Sequence, residues 1–207
     1  MPTTSEKLNP IHRLLKSPFV YSLTKNFLLK KGTSEFLYRD FPKFSQEDKV
    51  LDLGCGPAKI RKWIKAKHYV GIDFNPAHIK EAKMNCPNDT FICDDIASHS
   101  FNDDVKFDKI LMMGVLHHLN DQEATNVLSA CQKLLAEDGK IIALDPLFER
   151  GQNPIAKLLA KLDQGNFVRT REEYLKLAQA YFSRVEVVVK TDLLRLPYTH
   201  HIMAIQR

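Results

Sequence analysis

The residues with the clearest chemical potential are two glycines and three aspartates in the first half of the sequence. Gly54 and Gly56 follow an apolar run, and glycine lets a backbone approach a ligand closely. Asp73 and Asp94 end two later apolar runs, while Asp52 lies just before the glycines. Asp73 is placed to accept the hydroxyls of a ribose, Asp94 to hold an adenine amino group, and Asp52 to face an amino group of the ligand. Together they indicate a ligand that contains a nucleoside.

These residues need a scaffold, and the sequence after residue 48 alternates between short β-rich runs and helical patterns. This alternation predicts βαβ units, and therefore a parallel sheet with helices on both faces. Sheets of this kind bind ligands beyond the carboxyl ends of their strands, where the strand order reverses. The strands are predicted at 49–53, 68–73, 90–94, 107–113 and 140–145, and the helices at 57–66, 76–85 and 121–136.

Residues typical of helix ends support these boundaries. Asn75 followed by Pro76 predicts an N-cap with proline at the first helical position. Asp121 and Glu123 place acids at the start of the third predicted helix, where the helix dipole favours them. Residues 137–139, Glu-Asp-Gly, predict that this helix ends in a glycine turn.

The last part of the sequence predicts two strands, 182–190 and 199–206, joined by a linker too short for a helical crossover. The two strands are therefore expected to be antiparallel. We expect an α/β fold: a Rossmann-like, seven-stranded mixed sheet in the order 3-2-1-4-5-7-6, with the last strand antiparallel. The chain is interpreted as one domain, with a helical cap (1–45), a cofactor-binding core (48–145), a helical insert on the substrate side (146–181) and a terminal β-hairpin (182–207).

Size and composition narrow the class of protein. A chain of 207 residues is long enough for one domain with its own core. The apolar runs are far shorter than the roughly 20 residues that span a bilayer, and no apolar leader is visible. We therefore expect a cytoplasmic protein without a membrane span. The cysteine spacings suit neither a zinc cluster nor a disulfide framework, so no metal site is predicted.

The positive charge is concentrated near the start of the sequence. The chain has a net charge of +5, and residues 1–45 account for all of it, with eight basic and three acidic residues (8 − 3 = +5). A solvated helix face, an anionic substrate, nucleic acid or a membrane surface are each compatible with this excess. No RNA-binding signature accompanies it, so nucleic acid is not the expected partner.

The glycine turn also has to be compared with that of dinucleotide-binding proteins. Their fingerprint requires a third small residue, G-x-G-x-x-G/A, for close packing of helix on strand. Lys59 stands at that position. The predicted terminal hairpin has no role in the dinucleotide fold either, so hydride transfer is disfavoured.

Four segments of this sequence resemble motifs of the class I S-adenosylmethionine-dependent methyltransferases. They are Val-Leu-Asp-Leu-Gly-Cys-Gly-Pro (50–57), Val-Gly-Ile-Asp-Phe-Asn (70–75), Cys-Asp-Asp-Ile (93–96) and Phe-Asp-Lys-Ile-Leu-Met-Met-Gly-Val-Leu-His-His-Leu (107–119). The resemblance covers about residues 48–145. More weakly, 163–174 and 196–200 resemble a subgroup of small bacterial methyltransferases.

The resemblance implies S-adenosylmethionine as cofactor and a role for each matching position. The methionine part would be lined by the glycine turn, the ribose and adenine would be held at the ends of the second and third strands, and the sulfur would lie near the end of the fourth. The implied cofactor-binding residues are Asp52, Gly54, Cys55, Gly56, Asp73, Phe74, Asp94, Asp95, Ile96, Met113 and Gly114.

The acceptor of the methyl group must be bound and, for an O–H or N–H acceptor, deprotonated. His118 and Asp145, at the ends of the fourth and fifth strands, are the predicted catalytic residues, with His117 as a further candidate. Arg169 is predicted to grip a substrate carboxylate or phosphate, with an ion pair to Glu172 or Glu173 as the alternative. Tyr21, Tyr198 and His200 complete the predicted substrate side, and Tyr38 is a candidate lid residue.

We therefore expect a methyltransferase that acts on O, N or C of a small-molecule acceptor, as a monomer or homodimer. A small molecule is favoured because the insert and the N-terminal segment together could roof a closed pocket. Methylation of RNA or protein is the first alternative. A non-catalytic module that binds S-adenosylmethionine is the second.

Overall fold

The computed structural model describes residues 29–163 and 165–207. Helix α1 (Thr33–Glu35) continues as a π-helical turn at Phe36–Asp40. The first βαβ units contain β1 (Lys49–Leu53), β2 (His68–Asp73), α2 (Pro76–Asn85), β3 (Thr90–Cys93) and β4 (Phe107–Met113). Helix α3 (Asp121–Leu134) leads into the long strand β5 (Leu135–Phe148). The rest comprises α4 (Pro154–Lys161), β6 (Arg169–Thr170), α5 (Arg171–Gln179), β7 (Arg184–Lys190) and β8 (His200–Gln206).

The sheet has the predicted topology. Its strands are ordered β3-β2-β1-β4-β5-β8-β7, and the short β6 pairs with the end of β5. Strands β1 to β5 are parallel, whereas β8 is antiparallel to both of its neighbours. Without β6, this is the predicted order 3-2-1-4-5-7-6. The strand order reverses between β1 and β4, so a crevice lies above the glycine turn.

Both faces of the sheet are covered, as expected for parallel strands. On one face, Ile110 and Met203 lie in a core with Leu128 of α3 and Tyr174 of α5. On the other face, Leu111 and Ile202 lie in a core with Leu37, Tyr38, Ile79 and Ala82. Alternate residues of the central strands thus serve two cores. Tyr38 is buried, which agrees with packing rather than with a lid.

Two helix starts follow the predicted local chemistry. The side chain of Asn75 accepts a hydrogen bond from the Ala77 N–H, with Pro76 at the first helical position of α2. At α3, Asn120 and Glu123 form a reciprocal capping box. These helices therefore begin where short-range hydrogen bonds direct them.

The helix predicted at 57–66 is wrong. After the glycine turn the chain forms only a 3-10 turn at Arg61–Trp63. Ala58 has a positive φ of 55°, which interrupts a right-handed helix. The guanidinium of Arg61 donates to the carbonyls of Ile64 and Ala66, which holds this segment in its irregular path to β2. In the described part of the chain, no α-helix therefore begins directly after the glycine turn.

The glycine turn predicted at 137–139 is also wrong. Helix α3 passes directly into β5, and the register of β4 with β5 is irregular between the pairs Phe107–Leu135 and Lys109–Lys140. Gly139 is in a crowded place, since a Cβ there would lie 2.8 Å from Leu135 Cδ1. Residues 137–139 therefore lie in an irregular part of β5, and Gly139 does not adopt the positive φ of a glycine turn at a helix end.

The insert, predicted to be helical, contains two helices, α4 and α5, and in addition the short strand β6. The domain boundaries remain a prediction, and residues 1–28, with Tyr21, lie outside the described residues. Within the described residues, no helix is long and apolar enough to cross a membrane.

Candidate functional site

The glycine turn is formed by close backbone contacts at the end of β1. Gly54 and Gly56 have positive φ values of 73° and 54°, which favour glycine. The Gly54 and Cys55 N–H groups both donate to the carbonyl of Ile72, at 2.8 and 3.0 Å. A Cβ at Gly54 would lie 2.8 Å from Val115 Cγ2, whereas one at Gly56 would meet no atom within 4 Å. The turn is thus packed tightly below Gly54 and leaves space beside Gly56.

Asp73 braces this turn from the neighbouring strand. Its Oδ2 accepts the Gly56 N–H at 2.9 Å, while Oδ1 accepts the Asn75 N–H at 2.9 Å and lies 3.2 Å from His78 Nδ1. Only 6% of the residue is exposed. An ionised carboxylate has about four acceptor positions, so it can also accept a ligand hydroxyl.

Asp52 lies beneath the turn in a buried position. The Tyr69 hydroxyl donates to Oδ2, while Oδ1 has no hydrogen-bond partner among the described residues. Burial is the main reason that the pKa of Asp52 is raised to about 7, against the lowering effect of the Tyr69 hydrogen bond. An unpartnered buried acceptor needs a hydrogen-bond donor, so its position fits the amino group of a bound cofactor.

The side chain of Cys55 does not face the crevice. Its Sγ would lie 2.7 Å from a Cβ placed on Gly71, which puts the thiol beneath the turn. Burial raises the pKa of this thiol well above its usual range. Only the backbone of Cys55 is therefore suited to the predicted contact.

The carboxyl ends of β2 and β3 form an exposed shelf. Phe74 is 76% exposed. Asp94 is exposed, and His99 Nδ1 lies 2.7 Å from its Oδ2. Hydrogen bonds from His99 and from the Asp95 N–H lower the pKa of Asp94, so it is ionised. Asp95 is exposed and accepts the Ala97 N–H, and Ile96 is half-buried. The predicted adenine-side residues are therefore together and accessible.

The end of β4 closes the other side of the crevice. Met113 is half-buried, and Gly114 has a φ of 77°. The Gly114 N–H donates to the Leu144 carbonyl at 2.7 Å, which fixes the turn to β5. The 3-10 turn Leu116–His118 follows.

Of the two adjacent histidines, the structure brings His117 rather than His118 to Asp145. Both the backbone N–H and Nδ1 of His117 lie against Asp145 Oδ1, at 3.1 and 2.6 Å. His118 is exposed, and its ring lies 4.0 Å from that of His117, centroid to centroid. Asp145, one of the two predicted catalytic residues, therefore contacts His117 and not His118, because the 3-10 turn directs His117 inward. A catalytic role of His118 stays a prediction.

The buried pair extends into the insert and the hairpin linker. His117 Nε2 lies 3.3 Å from Asp163 Oδ1, and Asp163 Oδ2 accepts the Tyr198 hydroxyl at 2.7 Å. Burial by itself would lower the pKa of His117, but the hydrogen bonds to Asp145 and Asp163 raise it to about 9. His117 is therefore cationic at neutral pH. We call these four residues the polar relay.

Arg169 does not reach a substrate. It is 6% exposed, and its guanidinium donates to Asp121 through Nε and Nη2. The remaining donors go to the carbonyls of Leu116, Phe167 and Leu119. All five N–H groups are thus used within the protein. The predicted substrate grip and the alternative ion pair with Glu172 or Glu173 are both wrong, because Arg169 fixes the loop before α3.

Two further buried residues beside the polar relay, His201 and Tyr174, were missed as site residues, because no motif or spacing along the chain singles them out. His201 is fully buried, pairs in register with Asp145, and stacks 4.2 Å from the Tyr174 ring. Burial lowers the pKa of His201 to about 4, so it is neutral. The predicted residue His200 is half-buried, and its ring lies 4.8 Å from that of Tyr198. Among the described residues, no group of His, Cys, Asp or Glu is placed to hold a metal ion.

Comparisons with known proteins agree with this geometry. A family model described as a methyltransferase domain matches residues 50–139, which contain the glycine turn and both shelf strands. The chain contains a methyltransferase domain of the class I, S-adenosylmethionine-dependent family. The cofactor of this family is S-adenosylmethionine.

The relatives of this methyltransferase domain include small-molecule enzymes. A probable scoulerine-9-O-methyltransferase of Papaver somniferum is 30% identical over 150 residues, covering 67% of this chain and 41% of that protein. A probable inactive methyltransferase of Oryza sativa subsp. japonica is 28% identical over 140 residues, covering 62% and 36%. The chain thus spans about two fifths of the length of these curated relatives.

A solved structure shares the fold of the methyltransferase domain over nearly its whole length. It is a TehB-like SAM-dependent methyltransferase from Corynebacterium glutamicum, with a TM-score of 0.66 and 18% identity. The alignment covers 96% of this chain and 100% of the other. At this level of identity the likeness supports the fold.

Proposed function

We propose that this protein transfers a methyl group from S-adenosylmethionine to O, N or C of a small-molecule acceptor. The observation that carries the proposal is the glycine turn braced by Asp73, with unpartnered Asp52 beneath it and Asp94 at the next strand end. This arrangement matches a ligand that has an amino group, a ribose and an adenine. Relatives named as O-methyltransferases support a small-molecule acceptor.

The described residues divide the proposed cofactor into three parts. Asp52 and the backbone of residues 54–56 would hold the methionine part. Asp73 would accept the ribose hydroxyls, and Phe74 would pack on the adenine ring. Residues 94–96 would hold the adenine edge, while Met113 and Gly114 would lie near the sulfur.

S-adenosylmethionine supplies a methyl group already activated by a sulfonium, so the protein contributes mainly position and a proton acceptor. We propose that His117 is that acceptor and that Asp145 orients it. Asp145 Oδ1 holds Nδ1, so Nε2 is the nitrogen that would take a proton from the methyl acceptor. Asp163 now occupies that side.

Asp163 sets a condition for this role. While both carboxylates contact the imidazole, the pKa of His117 is about 9 and the ring is already protonated. An acceptor hydroxyl or amine that replaced Asp163 at Nε2 would remove one of the two anions that raise this pKa. The pKa of His117 would then fall from about 9 towards neutral pH, and the unprotonated ring could accept a proton.

The first experiment is a calorimetric titration with S-adenosylmethionine and S-adenosylhomocysteine, with NAD as the control. Micromolar binding of the first two and no binding of NAD would support the proposal. Absence of binding to both adenosyl compounds would refute it. Turnover is then measured as formation of S-adenosylhomocysteine with a panel of phenols and amines.

A non-catalytic module is the second candidate, favoured by the relative named as inactive. Turnover of any acceptor above background would exclude it.

RNA methylation predicts an affinity for RNA that falls steeply with salt. We further propose a cytoplasmic protein that is a monomer or homodimer, which sedimentation would test.

A further inference from the structure

A second recess opens at the carboxyl edge of the sheet, on the side away from the glycine turn. Its volume is about 550 Å³, a size that suits a small molecule. It is lined by Lys30, by the loop 149–153 after β5 with Ala156 of α4, and by the hairpin linker 191–199 with Val189 of β7. We call it the linker cavity.

The titratable residues that line the linker cavity give it positive charge. Lys30, Arg150 and Arg195 contribute three cations, and Glu149 is the one acid among the lining residues. The net formal charge is therefore 3 − 1 = +2. Each cation comes from a different segment, so their convergence depends on the tertiary fold.

The loop after β5 is held in shape by its own hydrogen bonds. The Arg150 N–H donates to Glu149 Oε1 at 3.1 Å, and Gln152 Nε2 donates to the Leu147 carbonyl at 3.1 Å. Glu149 Oε2 is shielded from solvent and has no hydrogen-bond partner among the described residues. A buried acceptor of this kind requires a donor, which a ligand in the linker cavity would supply.

Tyr198 connects the linker cavity with the polar relay. It lines the cavity, and its hydroxyl donates to Asp163, which in turn lies against His117. A molecule that fills the cavity would therefore contact Tyr198, which is linked through Asp163 to His117, the group proposed to accept a proton. The recess is also too small and its cations too few for a nucleic-acid backbone.

We propose that the linker cavity binds the anionic group, a carboxylate or a phosphate, of the small molecule that the protein methylates. Arg150, Arg195 and Lys30 hold the anion, and Glu149 Oε2 accepts a hydrogen bond from an N–H or O–H of the same molecule. The assignment of this molecule as the methyl acceptor rests on the proposed function, whereas anion binding does not.

Binding is tested by calorimetry with benzoate, phenyl phosphate and the neutral benzamide, at fixed ionic strength and saturating S-adenosylhomocysteine. At least one anion should bind about tenfold or more tightly than benzamide, because charge-assisted hydrogen bonds are lost with the neutral probe. The ratio of benzoate to phenyl phosphate identifies the preferred anion. Equal binding of all three probes would overturn the proposal.

Charge variants give a second test with opposite signs. Arg150→Gln combined with Arg195→Gln should weaken binding of the anions about tenfold or more. Glu149→Gln should strengthen it, because one negative charge leaves the cavity. Lys80→Gln, at an exposed position of α2, is the matched control and should have no effect. Unchanged affinity in the double arginine variant would overturn the proposal.

Failure of this inference and failure of the proposed function can be distinguished. S-adenosylhomocysteine is titrated into the unmodified protein and into each variant, all with matched melting temperatures. If S-adenosylhomocysteine does not bind the unmodified protein, the proposed function is refuted. Preferential binding of benzoate to that same protein would still support the linker cavity. Normal cofactor binding with no anion preference would refute the cavity alone.

Discussion

The carboxyl edge of the sheet has two halves: the ends of β1, β2 and β3, which we call the cofactor half, and the ends of β4 and β5 with the insert, which we call the acceptor half. Polar side chains find their hydrogen-bond partners in different ways in the two halves. On the cofactor half, Asp73 and Asp94 accept hydrogen bonds mostly from residues one to five positions away, and Asp94 is exposed. On the acceptor half, His117 contacts Asp145, 28 positions away, and Arg169 reaches Leu116, 53 positions away. The cofactor half is organised by short motifs, and the acceptor half by the whole fold.

The largest expected effect concerns the acceptor half, where removal of one buried group should affect stability. Arg169→Met should lower the free energy of unfolding by about 2–5 kcal/mol, because it leaves the carbonyls of Leu116 and Leu119 without donors, at about 1–3 kcal/mol for each buried acceptor. Urea denaturation measures this change. Arg171→Met, at an exposed position, should change it by less than about 0.5 kcal/mol. A loss below about 1 kcal/mol for Arg169→Met would contradict the comparison.

On the cofactor half, the expected loss is one of affinity. Asp73→Ala should weaken binding of S-adenosylhomocysteine by roughly 1.5–3 kcal/mol, since hydrogen bonds to a charged group are lost and Gly56 loses its brace. Calorimetry on the folded variant gives the value. Asp104→Ala, an exposed loop carboxylate, should bind normally. Equal affinities for both variants would show that the ribose is held elsewhere.

The charge of the polar relay should depend on Asp163. Asp163→Asn should lower the pKa of His117 from about 9, because one of its two anionic partners is removed. NMR titration of the histidine ring detects this shift, with the exposed Asp192→Asn as the control. An unchanged pKa would show that Asp163 does not contact the imidazole in solution.

The same group predicts the direction of the pH dependence of stability. His117 has a raised folded-state pKa, so its contribution is complete below its unfolded-state pKa near 6.5 and is lost as pH rises through about 9. His117→Gln should therefore reduce the change in the free energy of unfolding between pH 6.5 and about 9, measured by urea denaturation at several pH values. If the free energy of unfolding depends on pH as strongly in this variant as in the unmodified protein, other groups are responsible for the dependence.

The smallest effect is expected at Asp52. Tyr69→Phe removes a hydrogen bond that lowers the pKa of Asp52, so this pKa should rise above about 7. The shift should be on the order of one pKa unit, since such a bond contributes about 1 kcal/mol. Carbonyl NMR of labelled aspartate measures it. A fall in the pKa would mean that the hydroxyl does not donate to this carboxylate.

The comparison explains which parts were predictable from the sequence. The bounds of β1, β2, β4 and α2 follow from apolar runs and from caps such as Asn75-Pro76, which are local signals. Periodicity does not show that Ala58 adopts a positive φ, and this conformation prevented the helix predicted after the glycine turn.

The errors on the acceptor half have a different physical origin. Adjacent histidines look alike in a sequence, and only the 3-10 turn decides that His117 faces Asp145. Arg169 has acidic neighbours at 172 and 173, yet its partner is Asp121, 48 positions away. Such choices depend on tertiary contacts, which spacing along the chain does not encode.

The position of β8 between β5 and β7 has a consequence for synthesis of the chain. Strand β7 leaves the ribosome before β8, yet among the described strands β8 alone pairs with it. Until residues 200–206 have been synthesised, β7, with the sequence Arg-Val-Glu-Val-Val-Val-Lys, lacks the strand with which it pairs in the folded protein. Unpaired valine-rich strands are prone to associate with other chains. The charges of Arg184, Glu186 and Lys190 then protect the nascent chain as well as the folded one.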